Sequence, residues 1–85
     1  MDERAVIILK IPGRVDDIDL DVPLDIAAFE LISGLNEAYD LGIDMDIESN
    51  CHLSSESPVA LLRGSKTLRE YGIRNGSVIH VPKTE

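Results

Sequence analysis

Asp17-Ile18-Asp19-Leu20-Asp21-Val22-Pro23-Leu24 is the stretch on which the reading of the fold turns. Aliphatic and acidic residues alternate with a strict period of two. In an extended chain this sends Ile18, Leu20 and Val22 to one face and Asp17, Asp19 and Asp21 to the other. One face is therefore core and the other meets solvent or something positive. Upstream, Arg4 to Ile11 (RAVIILKI) is rich in β-branched residues and reads as a buried strand. Pro12-Gly13 separates the two runs. Pro presets φ for the second turn position and Gly accepts positive φ at the third, so the pair predicts a type II turn and a hairpin.

Downstream, Pro23 suits the first turn of a helix, where its missing N–H is no loss. The periodicity predicts a helix from there to about Leu41, ended by Gly42 in the left-handed conformation. Leu24, Ala28, Leu31, Ile32, Leu35, Ala38 and Tyr39 share one stripe at 100° per residue. Glu30, Ser33, Glu37 and Asp40 oppose it, and Ile26 and Phe29 fall on that polar side. Either flanking chain covers this pair or Ile26 and Phe29 form an exposed contact patch. Past Gly42 the pattern weakens. Short strands are expected near Ser49–Ser54 and Val59–Arg63, with Ser54-Ser55-Glu56-Ser57 as the turn between them. Thr67–Ile73 reads as a short turn or 3₁₀ segment, Asn75-Gly76 as a turn and Val78–Pro82 as the last strand. A hairpin, a covering helix and the rest of a sheet make a two-layer α+β arrangement: a mixed sheet of four to five strands under one long helix.

The chain has 85 residues, which reads as one domain over residues 1–85 with an ordered core near 4–82. No apolar run approaches the roughly 18 residues needed to cross a bilayer. Met1-Asp2-Glu3 is an acidic start, unlike a signal peptide. A cytoplasmic location is the expectation, and the single Cys51 suits a reducing compartment. The net charge is −8. That argues against nucleic acid and against anionic membrane surfaces, which select basic patches. No Lys or Arg lies between Val15 and Leu62, a stretch holding twelve carboxylates, whereas all eight basic residues lie outside it. This is either a solvated acidic surface or a two-faced molecule that steers a basic partner or a second copy.

Catalytic chemistry has little to stand on. His52 adjoins Cys51, but neighbours on a strand point to opposite faces, so no dyad is expected. His80 has no evident partner. Asp44-Met45-Asp46-Ile47-Glu48-Ser49-Asn50 resembles the opening of a calcium loop. Ser49 stands where that loop needs Gly, and Ser55 where it needs Glu. No metal, cofactor or catalytic residue is expected. The candidate contact residues are Ile26, Phe29, Asp17, Asp19 and Asp21.

Thr67-Leu68-Arg69-Glu70-Tyr71-Gly72-Ile73-Arg74-Asn75-Gly76-Ser77-Val78-Ile79-His80-Val81 resembles the segment of ubiquitin-like, β-grasp domains in which a Leu anchors a short helix, an Ile re-enters the core and a turn launches the last strand. The Ile18–Val22 strand and the helix after it fit the same template. The Val22-Pro23-Leu24 junction and the Gly72–Gly76 turn resemble the bacterial YukD-like proteins of type VII secretion systems. That resemblance implies a β-grasp fold and a small, non-catalytic, cytoplasmic accessory component of the secretion apparatus. Protein partners would be secretion-machinery subunits, with a homodimer through an open sheet edge as a further expectation. Conjugated relatives end in two glycines, and Val81-Pro82-Lys83-Thr84-Glu85 does not, so conjugation is not expected. The alternatives are a ubiquitin-like modifier or sulfur carrier, or a generic docking domain cut from a larger protein.

Overall fold

The computed structural model describes residues 3–47 and 50–82. Five strands and one helix follow in the order β1 (Arg4–Lys10), β2 (Ile18–Pro23), α1 (Ala28–Tyr39), β3 (Leu53–Glu56), β4 (Val59–Leu62) and β5 (Val78–His80). The strands form a single mixed sheet in the order β2-β1-β5-β3-β4. The central pair, β1 and β5, is parallel, and every other pair is antiparallel. This is the predicted α+β, β-grasp architecture.

The first hairpin forms as its sequence dictates. Arg14 N–H donates to Ile11 C=O at 3.1 Å across Pro12-Gly13, and Gly13 takes φ +86°, as a type II turn requires. Ala5, Ile7 and Leu9 point inward from β1 and are buried; β2 adds Val22, with Ile18 and Leu20 half-buried. Ala28, Leu31, Ile32 and Leu35 of α1 close over them, and Leu53, Leu62, Leu68, Ile73, Ile79 and Val81 complete one core. Each fully buried Leu or Ile is worth roughly 1.5–3 kcal/mol of transfer free energy.

The predicted helix start is corrected. Pro23 closes β2, Leu24 N–H still donates to Glu3 C=O at 2.9 Å, and Ala27 is the N-cap. Tertiary hydrogen bonds decide the shift. The chain from 24 to 27 pairs with the 66–69 segment: Arg69 N–H donates to Leu24 C=O, and Leu68 N–H to Ile26 C=O. The first helical amides are met by backbone from the same region, Ala28 by Lys66 C=O and Phe29 by Gly64 C=O. Glu30 reaches back to Ala27 N–H at 3.2 Å. A buried start of this kind leaves no amide orphaned, and no local sequence signal announces it.

The helix end is also earlier than expected. Asp40, not Gly42, takes the left-handed cap at φ 51°, and Gly42 follows with positive φ in the connecting loop. Asn36 holds that loop to the helix, donating to Ile43 C=O and accepting from Ile43 N–H, each at 2.9 Å. Ala38, assigned to the core stripe, is exposed, while Tyr39 of the same turn is half-buried against the core.

The third correction concerns Ser54–Ser57. Ser54, Ser55 and Glu56 belong to β3, and the turn is Ser57-Pro58. A serine-rich run looks like a loop locally, but β3 has a strand on each side, and pairing overrides propensity. Cys51 and His52 precede β3 rather than lying on it, and Ser49, the expected start of that strand, lies outside the described residues.

Candidate functional site

Helix α1 covers one face of the sheet, and no second layer covers the other among the described residues. The uncovered face carries every second residue of each strand. Val6 and Ile8 come from β1, Val78 from β5, and Val59 and Leu61 from β4. Ile8 and Val78 sit side by side in the parallel register. Val6 is 47% exposed, Leu61 48% and Val59 89%. β3 lies between β5 and β4 and puts Ser54 and Glu56 on this face, so Val6, Ile8 and Val78 form one apolar group and Val59 and Leu61 a second at the β4 edge, with charged pairs around the first. Arg4 meets Asp21 at 3.1 Å, Lys10 meets Asp17 at 3.2 Å, and His80 Nε2 lies 2.7 Å from Glu56. An apolar centre with a polar rim is the general anatomy of a protein-contact surface.

The acidic row of β2 thus looks different in three dimensions. Asp17, Asp19 and Asp21 do share the solvent side, opposite the half-buried or buried Ile18, Leu20 and Val22. However, β1 lies alongside and brings Arg4 and Lys10, which neutralise Asp21 and Asp17. The segregation of charge along the sequence is therefore not a segregation in space at this edge. A similar closure occurs beyond the sheet, where Arg69 pairs with both Asp25 and Glu3 at 2.7 Å. Hydrogen bonds to Asp25, then to Glu3, hold that guanidinium charged even more firmly than usual.

Ile26 and Phe29 part company. Ile26 lies before the helix, half-buried against the core. Phe29, on the first turn of α1, is exposed at 47%. It lines a groove of about 540 Å³ with Met45, Asp46, Cys51, Arg63, Gly64 and Tyr71. The Tyr71 hydroxyl donates to Arg63 C=O at 2.8 Å and accepts from Arg63 N–H at 3.2 Å, while Lys66 Nζ stands 4.8 Å from the Tyr71 ring centre. The outer sheet face escaped residue-level prediction because β4 and β5 are too short to show an alternating pattern.

The groups that chemistry would need are occupied otherwise. The Cys51 thiol is buried and lies 3.4 Å from both Met45 and Ile47 carbonyl oxygens, turned into its own loop. Asp44 accepts Asp46 N–H at 3.0 Å, a local turn, and Glu48 and Ser49 of the suspected calcium loop lie outside the described residues. Among the described residues no three His, Cys, Asp or Glu side chains are grouped to hold a metal ion. No described helix is long and apolar enough to cross a membrane.

A family model for the YukD protein of the WXG100 protein secretion system (Wss) matches residues 6–81. The chain belongs to this family. No curated protein matches the sequence. Solved structures share the fold at low identity. The C-terminal ubiquitin-like domain of mouse tubulin-specific chaperone e aligns with a TM-score of 0.74 at 13% identity, covering 99% of this chain and 90% of that one. A ubiquitin-like domain from tubulin-binding cofactor B gives 0.67 at 19% identity, covering 94% and 89%. The ubiquitin-like domain of Plasmodium falciparum Dsk2 gives 0.59 at 15% identity, covering 94% and 100%. At these identities the structural likeness speaks for the β-grasp fold, and the family match for the link to secretion.

Proposed function

We propose that this YukD-family domain is a non-catalytic, cytoplasmic docking component of the WXG100, type VII secretion machinery, and that it engages a subunit of that machinery through the uncovered face of its sheet. The observation that carries the reading is the apolar group Val6–Ile8–Val78, flanked by the Arg4–Asp21 and Lys10–Asp17 pairs. Aliphatic side chains at the centre supply buried area, and rim charges set orientation and encounter rate. The buried Cys51 thiol and the cross-strand pairing of the carboxylates favour binding over chemistry. The Phe29 groove is a smaller accessory contact.

Co-purification from a native host tests this. The tagged wild-type domain is expected to bring down a secretion subunit. Val6→Glu, a surface change expected to leave folding intact, is expected to reduce recovery at least tenfold, as losing a central contact worth about 1.4 kcal/mol or more would do. Capture of no secretion subunit, or equal recovery with Val6→Glu, contradicts the proposal.

A further inference from the structure

The two edges of the sheet are built differently, and the hydrogen-bond pattern shows which is open. Ile8 N–H donates to Ser77 C=O, and Val81 N–H to Lys10 C=O. In a parallel pair these bonds turn the N–H and C=O of Ile8 and Lys10 toward β5 and those of Ile79 toward β1. Ser54 must then bond His80, and Ser55 and Leu53 must bond Ala60 and Leu62, given the registers of β3. Alternation leaves the N–H and C=O of Val59 and Leu61 facing outward from β4. Arg63 would continue the row, but its two backbone groups are taken by the Tyr71 hydroxyl. Among the described residues nothing meets Val59 or Leu61. The same argument at the other edge turns Asp19, Asp21 and Pro23 of β2 outward. There Asp19 and the Arg4–Asp21 pair set charged side chains along the edge and Pro23 offers no N–H, the usual means of blunting an edge. The Val59-Ala60-Leu61-Leu62 edge has no charge and no proline.

We propose that β4 pairs with β4 of a second copy of this chain, antiparallel, about a twofold axis through Ala60. Opposed residues in a sheet share a face, so a twofold axis perpendicular to the sheet must pass through a residue, not between two. Centred on Ala60, Val59 of each copy meets Leu61 of the other, and the open groups of both copies satisfy one another in four hydrogen bonds. Centred on Leu61, Val59 would need the groups of Arg63 that Tyr71 already holds. The seam joins Val59 to Leu61 twice on the outer face and extends the sheet to ten strands. Each Arg63 comes to the other copy's Ser57, whose Oγ accepts from Arg74 at 3.3 Å, with Glu56 as the adjacent carboxylate. The β2 edges end up at opposite extremes, so the outward Asp19 side chains of the two copies stay far apart. A second copy fits better than a foreign strand because the open edge is its own complement in length and register.

An edge of this length makes a contact smaller than about 1,200 Å², which associates weakly. Sedimentation from about 10 µM to about 1 mM brackets that affinity range. The weight-average mass is expected to rise from 9.3 kDa toward twice that value. Val59→Lys, which blunts the edge on the solvent side, is expected to hold it at the monomer. Register is read by oxidative cross-linking with copper-phenanthroline. Ala60→Cys faces itself at about 4.5 Å between Cα atoms in a non-hydrogen-bonded pair, inside the disulfide range of about 4.4–6.8 Å. Leu61→Cys stands about 8 Å from its counterpart, from the rise and spacing of strands, and is expected to link at least tenfold more slowly. The wild type, with Cys51 buried, controls for that thiol. A wild-type mass that stays at the monomer, a dimer unaffected by Val59→Lys, or faster linking of Leu61→Cys than Ala60→Cys overturns the proposal.

Discussion

Leu31 and Phe29 lie two positions apart on the same helix and have opposite surroundings. Leu31 is 6% exposed among Ala28, Ile32 and Leu35, while Phe29 faces the groove at 47%. Leu31→Ala is therefore expected to cost about 2–5 kcal/mol in a chemical-denaturation curve. Phe29→Ala is expected to stay within about 0.5 kcal/mol of wild type, the usual range for a surface change. A loss of about 3 kcal/mol or more at Phe29 would place the ring in the core and remove it from the contact surface. Single-residue environments were readable from sequence where a period was sustained, as for Ile18, Leu20 and Val22 or for Leu31 and Leu35. They were not readable where the period had to be started from the right residue. A helical wheel begun at Pro23 puts Ile26 beside Phe29, but Ile26 lies before the helix, so the two do not share a helix face.

At the scale of elements, the same distinction between local and tertiary signals holds. The hairpin through Pro12-Gly13 and the turn at Asn75-Gly76 are written locally and appear as read. Ser77 N–H donates to Arg74 C=O at 3.0 Å with Gly76 at positive φ. The start of α1 depends on backbone partners 35 to 45 residues away, and the strand at Ser54–Glu56 on both flanking strands, and those partners leave no mark on the local sequence. One local signal went unused. Thr67-Leu68-Arg69-Glu70 has the T-x-x-E spacing of a capping box. Glu70 N–H donates to Thr67 Oγ1 at 3.2 Å, and Thr67 N–H to Glu70 Oε1 at 3.2 Å. This turn seats the fully buried Leu68 and pairs with the start of α1. Thr67→Ala is expected to destabilise the domain by about 0.5–2 kcal/mol, while Thr67→Ser, which keeps the acceptor, should recover most of it. Equal losses for the two variants in thermal or chemical unfolding would mean that the box does not hold this turn.

For the whole molecule, the sequence is sufficient for the class of fold and the family, whose model matches residues 6–81. It is not sufficient for the surface. The charge along the chain allows either a solvated acidic surface or a two-faced molecule, and sheet order brings Arg4 and Lys10 beside the acidic strand. The apolar residues of the outer face come from β1, β4 and β5, which are far apart in sequence, so no window of the chain contains them. What results is a sheet with a helix on one side, an uncovered apolar centre on the other, one blunted edge and one open edge. Those features are the ground for the proposal that the main partner contact lies on the sheet rather than on the helix. Site-directed photo-cross-linking in a native host tests that placement most directly, with one probe at Val6 on the uncovered face and another at Glu37 on the exposed side of α1. The Val6 probe is expected to capture a secretion subunit and the Glu37 probe to capture none; capture through Glu37 alone, or equally through both, would contradict binding through the sheet.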